Sequence, residues 1–233
     1  MQITSFRFLR AAFSAFSALL IMSTAVLAGP PLICHSFDIG TARSLPWISH
    51  DWNLAGSENF DTNKLAGETL AILDASDVPL VHMETLRRAT LYARKDPAAA
   101  KQLLLKLVAR VQSNELAVRP NAFAFFDSAY LVETFKQWLG EKNRNPANAL
   151  DSSAWLRKAI QLRGDDPQME LAAALITLNG PQAEHREHAD RAISGAKHDQ
   201  LLARNLQSHF RGSQGQTLAE IILSSDPKTV AKN

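Results

Sequence analysis

Signals for the start and the end of a helix recur along this 233-residue chain and constrain its fold more than any other feature. Asp96-Pro97 and Asp166-Pro167 are each typical of a helix start. Aspartate accepts hydrogen bonds from the free amides of the first turn, and proline fits the first helical position. Gly140, Gly164 and Gly180 follow periodic segments and are typical of helix ends. These closely spaced start and end signals leave little room for strands and predict an all-α fold.

Between these signals, apolar residues repeat with helical spacing. Leu104, Leu107, Val108 and Val111 form one stripe, which indicates a helix with a single buried face. Residues 120–139 are apolar over most of the helix circumference, which predicts a helix covered on several sides. Helices are predicted over residues 61–75, 78–95, 97 to at least 111, 120–139, 152–163, 167–178, 181–196, 199 to at least 210, and 217–224.

The connections between these helices are short, so that neighbouring helices must be antiparallel. We expect antiparallel helical hairpins, stacked as a short α-solenoid or packed as an irregular bundle. The predicted organisation is a signal peptide at residues 1–28, an extended or irregular segment at 29–60, an α-helical domain at 61–225 and a polar tail at 226–233.

Prolines mark the segment that precedes the helices, since Pro30, Pro31 and Pro46 forbid a continuous helix. Residues 33–39 alternate between apolar and more polar side chains, a pattern that allows a short edge strand. We expect three aromatic side chains of this segment to pack on the helical body, namely Phe37, Trp47 and Trp52.

The first 28 residues have the pattern of a secretory signal peptide. Arg7 and Arg10 precede an uncharged run that ends in small residues at Val26-Leu27-Ala28. The run is close to the length of a membrane anchor, but its Ser and Thr residues and the following Gly-Pro-Pro favour cleavage after Ala28. We therefore expect a periplasmic or secreted protein without a stable membrane span.

Cleavage would leave a formally neutral protein. The sequence has 25 Lys and Arg against 23 Asp and Glu, and the first 28 residues contain two arginines and no acidic residue. The part after Ala28 therefore has 23 of each. Such a chain has no net field that would steer it to nucleic acid or anionic lipid, so we expect no nucleic-acid partner.

Cys34 is the only cysteine, so an exported form cannot make an internal disulfide. A catalytic thiolate would need a histidine base. Adjacent residues of an extended segment point to opposite sides, so His35 is poorly placed and a distant residue such as His82 would be required. Cys34 is interpreted as a small packed residue, with a free reactive thiol or a disulfide to another chain as the alternatives.

His185 and His188 form the second candidate site. They lie three residues apart on a predicted helix with acidic residues nearby, so they share a face that could hold a metal ion. His185 also continues an apolar stripe through Ala189 and Ala192, which would place it at the edge of a buried face. We expect no cofactor.

The hairpin of Met83 to Val111, with Tyr92, Ala93 and Asp96-Pro97 at its turn, resembles a tetratricopeptide-like helical repeat. The stretch from Asp166 to Ala196 resembles a second one. This resemblance implies stacked hairpins that present a concave face to a peptide or a partner protein. The segment from Cys34 to Trp47 is also similar to the start of exported bacterial proteins, a likeness that implies no activity.

Two functional classes follow. The first is an exported, non-catalytic protein-interaction module, a scaffold or adaptor of the bacterial envelope, with a protein or peptide partner. The second is an enzyme or small-ligand carrier whose site is assembled from dispersed residues. For this alternative the residues to inspect are Cys34, His82, His185, His188 and the aromatic residues of the segment 120–139. We expect the first class and no catalytic residues.

Overall fold

The structure is a computed structural model that describes residues 30–48, 54, 56–139, 145–164 and 166–214, with side chains described to residue 209. The predicted signal peptide, Trp52, the helix end at Gly140, the helix over 217–224 and the tail at 226–233 lie outside the described residues. The predicted helical domain at 61–225 is therefore described only as far as residue 214.

The described part of the chain contains eight α-helices and no strand, which confirms the all-α prediction. Two short 3₁₀ helices, Thr62–Lys64 and Pro146–Ala149, accompany them. The helices are α1 (Leu65–Asp74), α2 (Pro79–Ala93), α3 (Pro97–Glu115), α4 (Ala122–Trp138), α5 (Ser152–Arg163), α6 (Pro167–Thr177), α7 (Gln182–Gly195) and α8 (Gln200–Gln214).

The helix ends follow the local signals. The side chain of Asp96 accepts from the amides of Ala98 and Ala99, and Pro97 is the first residue of α3. Asp166 caps α6 in the same way. Gly164 ends α5 at a φ of 75°, a conformation that glycine adopts without strain. Each of these signals acts within one turn, which is why the sequence alone located them.

The core is organised around α4, which contacts α2, α3, α5 and α6. Phe126, Tyr130, Leu131 and Phe135 of this helix are fully buried. Contacts on several sides explain why its apolar residues extend around most of its circumference. The packing of the helices is consistent with a bundle.

The hairpin of α6 and α7 is packed closely. Ala172, Ala173 and Ala174 of α6 are fully buried, as the small-residue pattern indicates. At the end of α7, a Cβ atom added to Gly195 would lie 2.1 Å from Cβ of Pro167. Small residues therefore allow the two helices to approach at positions where a larger side chain would not fit.

Residues 30–48, which we call the N-terminal strap, lie against the bundle without forming a strand. Phe37 is buried, and Trp47 is partly buried against the core, as the sequence predicts for both. The edge strand allowed by the alternation at 33–39 is absent from the strap. An edge strand needs a neighbouring strand for its ladder, and the strap packs on helices that offer side chains instead.

Candidate functional site

The strongest cluster of buried charge lies on α2, beneath the strap. Both oxygens of the fully buried Glu84 carboxylate are used: Arg87 Nε donates to Oε2 at 2.7 Å and Arg87 Nη2 donates to Oε1 at 3.0 Å. Arg88 Nε donates to Oε1 at 2.6 Å. A buried carboxylate is tolerated only when it is paired and hydrogen-bonded in this way.

The same cluster binds main-chain groups of the strap. The amide of Phe37 donates to Glu84 Oε2 at 3.0 Å. Arg87 Nη1 donates to the carbonyl of Ile33 at 3.0 Å, and Arg88 Nη1 donates to the carbonyl of Leu45 at 2.6 Å. The three charged side chains on α2 therefore form one network with the strap. We use the name strap site for this network and for the other helix residues that bind the main chain of the strap. These others are Tyr92, Gln137 and Asn205.

The last described helix closes the strap site from the other side. Asn205 Oδ1 accepts from the amide of Asp38 at 2.9 Å, and its Nδ2 donates to the carbonyl of Asp38 at 2.8 Å. Arg204 Nε donates to Asp38 Oδ2 at 2.6 Å. This hydrogen bond, followed by that from the amide of Gly40, lowers the pKa of the Asp38 carboxyl below its ordinary value.

Two histidine rings meet at this end of the strap, and Cys34 precedes one of them in the chain. His209 stacks on Phe37 with ring centroids 4.6 Å apart, and its ring lies 5.3 Å from that of His35. Burial lowers the pKa of His209 to about 4, and burial followed by the charge of Arg87 lowers that of His35. Burial also raises the pKa of the partly exposed Cys34 thiol, against the opposing charge of Arg87. Both histidines are therefore neutral and Cys34 is protonated near neutral pH.

Two buried polar atoms near this network have no hydrogen-bond partner, Tyr130 Oη and His209 Nε2. Tyr130 is fully buried on α4. Burial, followed by the negative charge of Glu84, raises the pKa of Tyr130 well above its ordinary value. The phenol is therefore neutral near neutral pH.

His82 forms a different buried pair, at the start of α2. Its Nδ1 lies 2.6 Å from Asp127 Oδ1 on α4, and its Nε2 lies 3.0 Å from the carbonyl of Ser76. Its ring also stacks on Phe123 with centroids 4.1 Å apart. Burial works against the charged form, but the nearby Asp127 carboxylate outweighs it and raises the pKa of His82. With an acceptor at each nitrogen, the arrangement suits a histidine that donates from both.

His185 and His188 both face α6. His185 Nδ1 lies 2.9 Å from the carbonyl of Ala174, and His188 Nδ1 lies 2.5 Å from Glu170 Oε2. Arg191 Nη1 donates to the other oxygen of Glu170 at 3.1 Å. Burial of Glu170 is outweighed by these hydrogen bonds, which lower the pKa of its carboxyl. No group of three or more His, Cys, Asp or Glu side chains placed to hold a metal ion occurs among the described residues.

The structure joins two of the features that the sequence singled out, His82 and the aromatic helix, since His82 stacks on Phe123. It does not bring Cys34, His185 or His188 to them. His82 contacts α4, His185 and His188 contact α6, and Cys34 lies beside Arg87. The cluster that does form, with Glu84, Arg87, Asn205 and His209, was missed by the sequence analysis. A Glu with Arg three and four residues later was its only local signal, and exposed helix faces carry the same spacing.

A second feature, on the outer side of the bundle, is an exposed apolar surface. Leu105 of α3 is 58% exposed, and Leu116 and Val118 in the turn after α3 are 89% and 99% exposed. We call these three residues the α3 surface. Exposed basic side chains accompany it, namely Lys101, Lys106 and Arg119.

A cavity of about 460 Å³ lies where α2, α6 and α8 begin. Gln168 connects these helix starts: its Oε1 accepts from the amide of Leu80 at 3.1 Å and its Nε2 donates to Asp199 Oδ2 at 2.6 Å. Asp199 Oδ1 in turn accepts from the amide of Leu202 at 2.9 Å. Gln168 and Asp199 therefore serve the starts of helices, and Arg163, which also lines the cavity, donates to Asp166 and to the carbonyl of Asp77.

Comparison of the chain with protein-family models, with curated proteins and with solved structures found no match. The resemblance to tetratricopeptide-like repeats therefore stays a prediction. None of the helices in the described ranges combines the length and the apolar character that a membrane crossing requires.

Proposed function

We propose that this chain is an exported, non-catalytic protein-interaction module of the bacterial envelope, and that it docks its partner on the α3 surface. The observation that carries the proposal is the near-complete exposure of Leu116 and Val118 at the end of α3. These two residues lie two positions apart, and neighbouring exposed apolar side chains with polar residues around them are typical of protein-interaction sites.

The charges around this surface define the kind of partner. Three exposed side chains of this region are basic, Lys101, Lys106 and Arg119, and one exposed side chain, Glu115 next to Leu116, is acidic. Arg110 is held by Asp74 at 2.7 Å. Basic side chains next to an apolar centre favour a partner segment with apolar anchors and acidic flanks. We expect the association to weaken as the salt concentration rises, because exposed charges are screened.

The contacts of the polar residues also favour a binding role over an enzymatic one. His82, His188 and Glu84 each direct their polar atoms to neighbours within the fold. These interactions stabilise helix packing, and the three side chains are not assembled around a shared cleft. A surface that recruits another protein needs no such assembly.

The test places a photo-crosslinking residue at Val118 in the full chain, expressed with its own leader in a bacterial host. We expect one dominant adduct in the envelope fraction, whose crosslinked peptide, mapped by mass spectrometry, contains apolar residues flanked by Asp or Glu. A second substitution, Leu116→Ser, should abolish the adduct, and added salt should reduce its yield.

The matched control is Leu178→Ser, which changes a leucine that is 44% exposed and lies after α6. This control should leave the adduct unchanged. An adduct that persists in Leu116→Ser, or the absence of any adduct at Val118, would refute docking on the α3 surface.

A further inference from the structure

The main chain of the strap is bound by side chains of the helices, in addition to the burial of Leu32, Ile33, Phe37 and Leu45. Six helix side chains bind its amides or carbonyls, namely Glu84, Arg87, Arg88, Tyr92, Gln137 and Asn205. Hydrogen bonds to the main chain do not depend on the side chains of the bound segment. A site built from them can therefore accept segments with other side chains, provided that they follow the path of the strap, which is extended over residues 36–39 and turns at Gly40.

Asn205 is the clearest recognition element of this site. Its side-chain amide accepts from the amide of Asp38 and donates to the carbonyl of the same residue. One asparagine thus satisfies both main-chain groups of one residue, which would otherwise need a neighbouring strand. Asn205 is itself fully buried and is held by the carbonyl of Leu201.

The site also has contacts that select side chains. Phe37 is 3% exposed and stacks on His209 with an interplanar angle of 19°, and Leu45 is fully buried. Arg204 donates to the carboxylate of Asp38. These contacts prefer an aromatic residue followed by an acidic residue, with a leucine eight positions after the aromatic one.

The remaining main-chain hydrogen bonds described within the strap are local turns, such as those from the amides of Ile33 and Cys34 to the carbonyl of Pro30. Two of the helices that bind the strap, α4 and α8, are capped outside the strap, by Asn121 and Asp199. The amide of Leu80 in α2 donates to Gln168 of α6, so that none of these helix starts uses the strap. The strap is therefore related to the bundle as a bound peptide is to its receptor.

We propose that the strap site is a peptide-recognition site, occupied in cis by the chain's own strap, that binds an extended segment with the same aromatic–acidic pattern in trans. The occupant is a peptide segment, recognised through its main chain and anchored by an aromatic ring on His209. This site is independent of the α3 surface, and the two use different residues.

The experiment tests whether a free peptide binds the strap site and restores the stability that the protein loses when its own strap is weakened. The probe is a synthetic peptide with the sequence of residues 30–46, with serine in place of Cys34 and a fluorescent label. The protein is the full chain with Phe37→Ala, which empties the aromatic contact in cis. We expect the peptide to raise the thermal midpoint of this variant by several degrees, because a ligand that binds only the folded state stabilises it.

Matched measurements separate recognition from non-specific stabilisation. The unaltered chain should bind the labelled peptide at least about tenfold more weakly than the variant, because its own strap competes at high effective concentration. A peptide carrying Phe37→Ala should have no effect. A chain with both Phe37→Ala and Asn205→Ala should lose most of the binding.

Phe37→Leu provides the same test if the alanine variant does not fold, since it keeps an apolar side chain and removes the ring that stacks on His209. No binding and no shift in thermal midpoint with either variant would overturn the proposal and make the strap a permanent part of the core. That result would leave the crosslink at Val118 unaffected, so that failure of one proposal is distinguishable from failure of the other.

Discussion

His82 and Asp127, which are 45 positions apart in sequence, form a buried ion pair with 2.6 Å between Nδ1 and Oδ1. The pair joins the start of α2 to α4, and its two side chains are almost completely inaccessible to solvent. Its charged form is stabilised because Ser76 supplies a second acceptor to the imidazole ring. The contribution of this pair to the free energy of unfolding therefore decreases as the pH rises.

Because the pKa of His82 is raised in the folded state above its ordinary value of 6.5, this group stabilises the fold fully below about pH 6.5. The contribution is lost as the pH rises through the folded-state pKa. We expect Asp127→Asn to lower the free energy of unfolding by about 3 kcal/mol at pH 6, since it leaves a buried charge unpaired. The difference from the unaltered chain should shrink towards pH 9, measured by denaturant titration.

Asp74→Asn is the control for this variant. Asp74 pairs with Arg110 at 2.7 Å but is largely exposed, so we expect a change of less than about 1 kcal/mol. Equal losses for Asp127→Asn and Asp74→Asn, or a loss that grows as the pH rises, would contradict the assignment of a charged buried pair.

Tyr130 and Tyr92 should respond in opposite directions when the hydroxyl is removed. Tyr130 Oη is buried without a partner, so Tyr130→Phe should raise the free energy of unfolding by about 1 kcal/mol. Tyr92 Oη donates to the carbonyl of Pro46 and accepts from the amide of Ser57, so Tyr92→Phe should lower it by about 1 kcal/mol or more. Thermal denaturation of both variants checks this, and a stabilised Tyr92→Phe would contradict the strap contacts.

The glycines of two helices make a second matched pair. Gly195→Ala places a Cβ atom against the ring of Pro167, so we expect a loss of about 1–3 kcal/mol from overpacking between α6 and α7. Gly67→Ala in α1 meets nothing within 4 Å and should stabilise the protein by about 0.5–1 kcal/mol. The measurement is the unfolding midpoint in denaturant. A neutral Gly195→Ala would show that the helices do not approach as closely as described.

The cap of α6 can be tested through one side chain. Asp166 Oδ1 accepts from the amides of Gln168 and Met169, so Asp166→Ala should lower the free energy of unfolding by about 1 kcal/mol. Asp166→Asn keeps the acceptor and should retain most of the stability, although it weakens the ion pair with Arg163. If asparagine and alanine were equally destabilising, the ion pair and not the cap would be the main contribution.

Much of the helical framework could be predicted from the sequence. The starts at Pro97 and Pro167 and the end at Gly164 are confirmed, because capping and positive φ are decided within one turn of the chain. The helix after Pro97 extends to Glu115, beyond the apolar stripe that ended at Val111. Polar residues continue a helix as readily as apolar ones when no stop signal intervenes.

The candidate site was much less accessible to sequence reasoning. Glu84 and Arg87 have the spacing of a solvated salt bridge, but the structure buries both. Their burial depends on the strap, whose Ile33 carbonyl and Phe37 amide supply hydrogen bonds from about 50 positions away in sequence. No local pattern encodes a partner at that separation, because burial of a charge is decided by what packs over it.

The sequence by itself determined an all-α chain with defined helix starts, since capping, proline geometry and apolar spacing are local properties. The tertiary structure decided which polar side chains became buried and what they bind. Asn205 meets Asp38 across 167 positions, and His82 meets Asp127 across 45. These pairs form only when packing brings distant helices and the strap together and removes water, and in that environment a polar group without a partner costs free energy.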